Sequence, residues 1–216
     1  MSSVVVKGGA EGGGVVTITA PSSSLTRTLT LPDATTELLG LSAGQTLTNK
    51  TFSGVGRATS LLTSAGEVAT TSGTSVVLAT GLPSWVKSFS IVMSGMSTNG
   101  TSPINIQFGT DSNWVTTGYV SGSDNYTSGI APATSTIGFR IGRSTGAGNT
   151  INAIYTIALM GGTNNWVGQL NGILDTGTSL LFGGGTIDLA DVTAIRLTTA
   201  GGANLFDAGS AVVWYE

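Results

Sequence analysis

In the second half of the chain, apolar residues alternate with Ser, Thr and Asn in short runs, and helical spacing is nearly absent. Strict alternation gives one apolar and one polar face, the pattern of a half-buried β-strand. Gly, Pro, Asn and Asp bound these runs, and they are the residues that turn a chain. The candidates are SVVLAT (75–80), VKSFSIVMSG (86–95), INIQFG (104–109), WVTTGYV (114–120) and STIGFRIG (135–142). They continue with TINAIYTIALMG (150–161), NNWVGQLNGIL (164–174), SLLFGG (179–184), VTAIRLTTA (192–200) and AVVWYE (211–216). In one, Phe89, Ile91 and Met93 share a face opposite Ser88 and Ser90. In another, Ile104, Ile106 and Phe108 oppose Asn105 and Gln107. So many short strands without a helix predict an all-β chain ending in a jelly-roll-like β-sandwich. The best helical segment, IDLADV (187–192), is short and reads as a turn.

The residues before this domain read differently. VVTITAP, SSSLTRTLTLPD and TLTNKTFSG are brief Thr-rich alternations with few large side chains. One copy of such strands cannot bury a core. Several chains sharing one narrow core could, which is the logic of an intertwined fibre shaft. The expected organisation is an attachment segment over 1–20, a short β shaft over 21–66 and a sandwich knob over 67–216.

Composition narrows the chemistry. There is no Cys and no His, so disulfide scaffolds, Cys/His zinc sites and imidazole-based hydrolysis are excluded. Only 9% of residues are charged, and the net charge is -3. The 8 basic residues are scattered and form no phosphate-binding cluster, so no nucleic-acid partner is expected. Mean hydropathy is +0.30, yet no apolar run approaches the ~18–20 residues of a membrane span. Aromatic content of 6% is thin for the girdles of a membrane barrel, so no membrane insertion is expected. Met1–Lys7 lacks the charged and apolar regions of a signal peptide, which predicts assembly in a cytoplasm. Hydroxyl groups and burial between chains then remain as ways to keep a weakly charged chain soluble.

TITAPSSSLTRTLTLPDATTELLG followed by TLTNKTF resembles the shaft-like segments of bacteriophage fibre proteins. The pieces 82–110, 116–123 and 192–216 resemble the distal β-sandwich of such fibres. The resemblance implies a homotrimeric virion fibre, a tail fibre whose outward knob binds a host surface glycan or protein. A capsid-attached head fibre with a mainly structural role is the alternative it leaves open. It also implies that another virion protein holds the N-terminus, with Val4, Val5, Val6 and Lys7 as the attachment residues.

For the ligand, DSNWVTTGYVSGSDNYTSG (111–129) gathers aromatic rings, amides and carboxylates. Sugar sites combine a ring that packs on C–H faces with groups that bond hydroxyls. Trp114, Tyr119, Asp124, Asn125 and Tyr126 are the candidates, with 121–129 read as an exposed loop. Arg140 and Arg143 could fork onto an acidic sugar or phosphate, but a structural pairing with a carboxylate across strands or chains is the reading preferred for them. Asp188 and Asp191 read as a turn rather than a catalytic pair, and no enzymatic activity, cofactor or metal is expected. GRSTGAGNT (142–150) reads as a hairpin loop, and the glycines of 183–185 as turn residues.

Overall fold

The computed structural model describes residues 62–110, 113–126, 132–142, 146–174 and 179–216. The attachment and shaft segments, including Val4–Lys7, lie outside the described residues, as do Asp111 and Arg143. The described part is a sandwich of two antiparallel sheets.

Twelve strands form it: β1 (Thr63–Ala69), β2 (Ser75–Ala79), β3 (Ser88–Thr98), β4 (Ile104–Gly109), β5 (Val120–Tyr126) and β6 (Ala133–Ser135), followed by β7 (Phe139–Ile141), β8 (Ile151–Leu159), β9 (Asn165–Leu174), β10 (Ser179–Asp188), β11 (Ala194–Thr199) and β12 (Phe206–Tyr215). The large sheet runs β1-β12-β3-β8-β9-β10-β5-β6 and the small one β2-β11-β4-β7. The pairing is nested. β1 and β3 flank β12, while β2 and β4 flank β11; β8 and β7 complete the two quartets. That is the winding of a jelly roll, in which a long folded hairpin wraps over itself. β5–β6 and β9–β10 are two inserted hairpins that widen the large sheet. β1 spans position 67, where the sequence reading starts the knob.

The strand interiors follow the alternation. Phe89, Ile91 and Met93 of β3, and Ile151, Tyr155 and Ile157 of β8, point between the sheets. Six rings form a continuous cluster there. Phe89 stacks on Trp166 at 5.2 Å, and both lie 5.5 Å from Phe108. Phe108 meets Phe139 at 5.5 Å, and Phe139 carries the contact on to Tyr119 and Tyr155. Offset and edge-to-face pairs add about 0.5–1.5 kcal/mol each beyond area burial. Trp166 also donates its indole N–H to the Leu189 carbonyl at 3.0 Å.

Four expectations are corrected. WVTTGYV is no strand: only Trp114 makes an isolated bridge, to Gly109. Positions 120–126 form β5 rather than an exposed loop. The loop after Ile141 crosses from the small sheet to the large one, so it closes no hairpin. Gly183–Gly185 sit inside β10. A side chain there would collide with the neighbouring strands, 2.7 Å from Ser123 Cβ at Gly183 and 2.7 Å from Ser121 Cβ at Gly185. Glycine is needed at those positions for close approach.

Candidate functional site

The outer faces of the two sheets differ in chemistry. Strands β3, β8 and β9, at the centre of the large sheet, contain no charged residue. One row across that face joins Val212, Val92, Ile154, Asn171 and Phe182 through successive strand pairs. Ile154 is 47% exposed and Phe182 37%.

The small sheet carries polar groups outward. β4 is enclosed on both sides, so the polar partners expected of its outer face, Asn105 and Gln107, are buried. The stretch from Ser135 to Gly138 covers them: Ser135 Oγ donates to Asn105 Oδ1 at 2.9 Å, and Gly138 lies against both side chains. After β4 the chain folds back: Thr110 donates its N–H to the Asn113 carbonyl at 2.8 Å, and Val115 donates to the Phe108 carbonyl at 2.9 Å. This fold-back presses Trp114 onto Gly109, where a Cβ would stand 2.8 Å from the indole ring. Only glycine admits that approach.

Trp114 thereby reaches Arg196 of β11, whose guanidinium lies 4.6 Å from the ring centroid. Arg196 Nε donates to Gln107 Oε1 at 2.8 Å, and Gln107 Nε2 donates to the Ile137 carbonyl at 2.6 Å. The guanidinium is thus fixed on one edge and stacked on one face. Among the described residues no carboxylate pairs with it, and its Nη groups make no hydrogen bond. Partial burial lowers its pKa from the ordinary arginine value, with the Tyr119 phenol raising it slightly.

Arg196 is in register with Val77 of the edge strand β2. Val77, 46% exposed, also lines a groove of about 430 Å³ between β1 and β2, together with Ser64, Thr80, Leu82 and Tyr215. Trp85, 54% exposed, packs 6.2 Å from Tyr215 near that groove. A strip therefore runs from Trp114 over Arg196 and Val77 into the groove.

The sequence candidates are dispersed. Trp114 is half-buried on the small sheet's face. Tyr119 is a core residue, 1% exposed, and its hydroxyl accepts the Phe108 N–H at 2.8 Å. Burial raises its pKa to about 12, with the Phe108 hydrogen bond and Arg196 pulling down part of the way. Asp124 is 1% exposed and accepts the Asn125 N–H at 2.8 Å, while Tyr126 is exposed on the outer face of β5. Asp124, Asn125 and Tyr126 lie in β5 of the large sheet, whereas Trp114 and Tyr119 belong to the segment after β4 of the small one, so the five do not form one platform.

Arg140 is committed within the chain. Its Nε donates to the Gly142 carbonyl at 3.0 Å and an Nη to the Thr134 carbonyl at 3.4 Å. Burial depresses its pKa as well. Among the described residues two buried polar atoms have no partner: Asn105 Nδ2 and Tyr155 Oη. Burial raises the Tyr155 pKa; Ser121 lies near enough to ease it, though no bond of normal geometry joins them. Asp188 and Asp191 stand exposed at and beyond the end of β10, and the described residues hold no cluster of acidic side chains able to bind a metal.

Arg196 and Gln107 were missed as site residues, yet the signal was present. Ile195 and Leu197 point inward, so alternation sends Arg196 outward as the one charge of its strand. No protein-family model matches the chain, and no curated protein or solved structure is significantly similar to it.

Proposed function

We propose that the chain is a bacteriophage virion fibre, a homotrimer whose C-terminal sandwich binds a host surface glycan. The resemblance of its segments to phage fibres suggests the class. The observation that carries the reading is the uncharged centre of the large sheet's outer face, bounded by Glu67 beside Val212 and Asp124 beside Phe182. Sheet strands lie ~4.8 Å apart with ~3.4 Å per residue, which gives the three uncharged strands β3, β8 and β9 a face of roughly 500 Å². A stable interface buries about 800 Å² per partner, so the flanking strands complete it. An exposed uncharged centre of that size suits burial against a like surface, and a second and third copy supply it. Fibre shafts are trimeric, so three is the number the resemblance implies. Three knobs then present three copies of the small sheet's face, and weak single contacts add as avidity.

Light scattering on the full chain tests the assembly: three times the 21.6 kDa protomer mass is expected. A monomer at micromolar concentration overturns it. Imaging of the native particle then assigns the N-terminus to a tail or a capsid protein. Labelled full chain should adsorb to intact host cells without releasing sugar from them.

A further inference from the structure

We propose that the Trp114–Arg196 strip is a binding site for a carboxylate-bearing saccharide, such as a chain of uronic acids. This rests on the fibre reading above and gives its ligand a charge. The guanidinium is held in a fixed plane by Gln107 at Nε and by Trp114 at one face. Such pre-orientation reduces the ordering a ligand must impose on a long side chain. Its Nη edge, which no described residue engages, matches a carboxylate, which two parallel N–H donors can grip together. Arg196 differs from Arg140 in this respect, since the latter spends its donors on main-chain carbonyls.

The surroundings fit a sugar as well. The Trp114 indole offers an apolar surface of the kind that packs on pyranose C–H groups. Val77 leads from Arg196 to the groove between β1 and β2, where Ser64 and Thr80 can bond hydroxyls and Tyr215 supplies a second ring. An oligosaccharide can follow the strip with its carboxylate on Arg196 and its neighbouring residues in the groove. Partial burial of the cation strengthens that pairing relative to a fully solvated one.

Calorimetric titration of the full chain tests this with two probes. One is an oligogalacturonate; the other is the same oligosaccharide with its carboxyl groups reduced to alcohols. The wild type is expected to bind the acidic probe at least roughly tenfold tighter, with affinity falling as salt rises. Arg196→Gln should bring the acidic probe down to the level of the reduced one. Arg196→Lys should fall between, because it keeps the charge and loses the planar fork. Trp114→Leu should weaken both probes, since it removes the packing surface and leaves the charge. Equal binding of the two probes by the wild type overturns the site, as does full uronate affinity in a folded Arg196→Gln. Adsorption to host cells separates this from the fibre reading. Wild-type adsorption that Arg196→Gln leaves intact removes the site and spares the fibre. Uronate binding that depends on Arg196, with no adsorption to any host cell, keeps the site and removes the fibre.

Discussion

The two sheets of the sandwich solve the same packing problem with opposite outer surfaces. The large sheet is broad, flat in its chemistry and free of charge along its central strands. The small sheet holds Arg196 and Arg140 and hides polar side chains under a covering segment. The inward faces are alike, since both supply rings to one cluster. The lesson is that alternation specifies the inside of a sandwich, while the residues left over on the outside record what each face meets.

The largest expected effect comes from putting charge on the uncharged face. Ile154→Lys with Phe182→Lys should turn the proposed trimer into folded monomers, because each of its contacts would acquire buried like charges at once. Both positions are exposed in a single chain, so the fold itself should persist; light scattering with circular dichroism reads the two separately. Arg196→Gln should leave the trimer mass unchanged. Dissociation by that variant would break the contrast between the faces.

Next comes the seam that the sheets share. Trp166→Ala should cost about 3–5 kcal/mol in denaturant unfolding. It empties a position stacked on Phe89 and set edge-to-face against Phe108, one from each sheet. The loss should be the same whether or not the outer face carries the lysines.

Alkaline pH gives a smaller effect. The folded state holds the Tyr119 proton up to about 12, whereas the unfolded chain releases it near the ordinary tyrosine value of 10.0. The neutral form is thus the one the fold favours. Its contribution is complete below pH 10 and is lost progressively as pH rises towards 12, by about 2–3 kcal/mol. Tyr119→Phe should remove its share of that alkaline loss and leave the share of Tyr155, whose pKa burial also raises. At neutral pH it should itself cost about 1–3 kcal/mol, because the buried Phe108 N–H loses its acceptor.

The smallest is the stability change of Arg196→Gln. The stack on Trp114 is half-exposed, so its loss should amount to about 0.5–1 kcal/mol in a thermal or denaturant midpoint. A much larger loss would mean that Arg196 serves the fold more than a ligand.

Much of the domain was legible. VKSFSIVMSG, INIQFG, TINAIYTIALMG and VTAIRLTTA became β3, β4, β8 and β11, and in the first two the apolar residues assigned to one face are buried. WVTTGYV misled because its aromatic and β-branched residues are the types a strand favours. The tight bend at Gly109 instead lays this segment against the end of β4, with its tyrosine in the core. Gly183–Gly185 misled for a related reason. Glycine written at a turn and glycine required by a neighbouring strand look identical in sequence. Asp124 and Tyr119 suited a sugar site by residue type, and the fold used both in its interior.

The sequence by itself determined that the chain is β-rich, which residues of each regular strand face inward, and which imidazole and thiol chemistries are closed to it. Those properties are local or compositional, set by the two-residue period of an extended backbone and by the side chains present. Tertiary structure decided the nested pairing, the place of the triple glycine and the meeting of Trp114, Gln107 and Arg196. These contacts join positions up to 89 residues apart, as the Gln107–Arg196 bond does. No local pattern encodes them, because they depend on which strands pair and at what register.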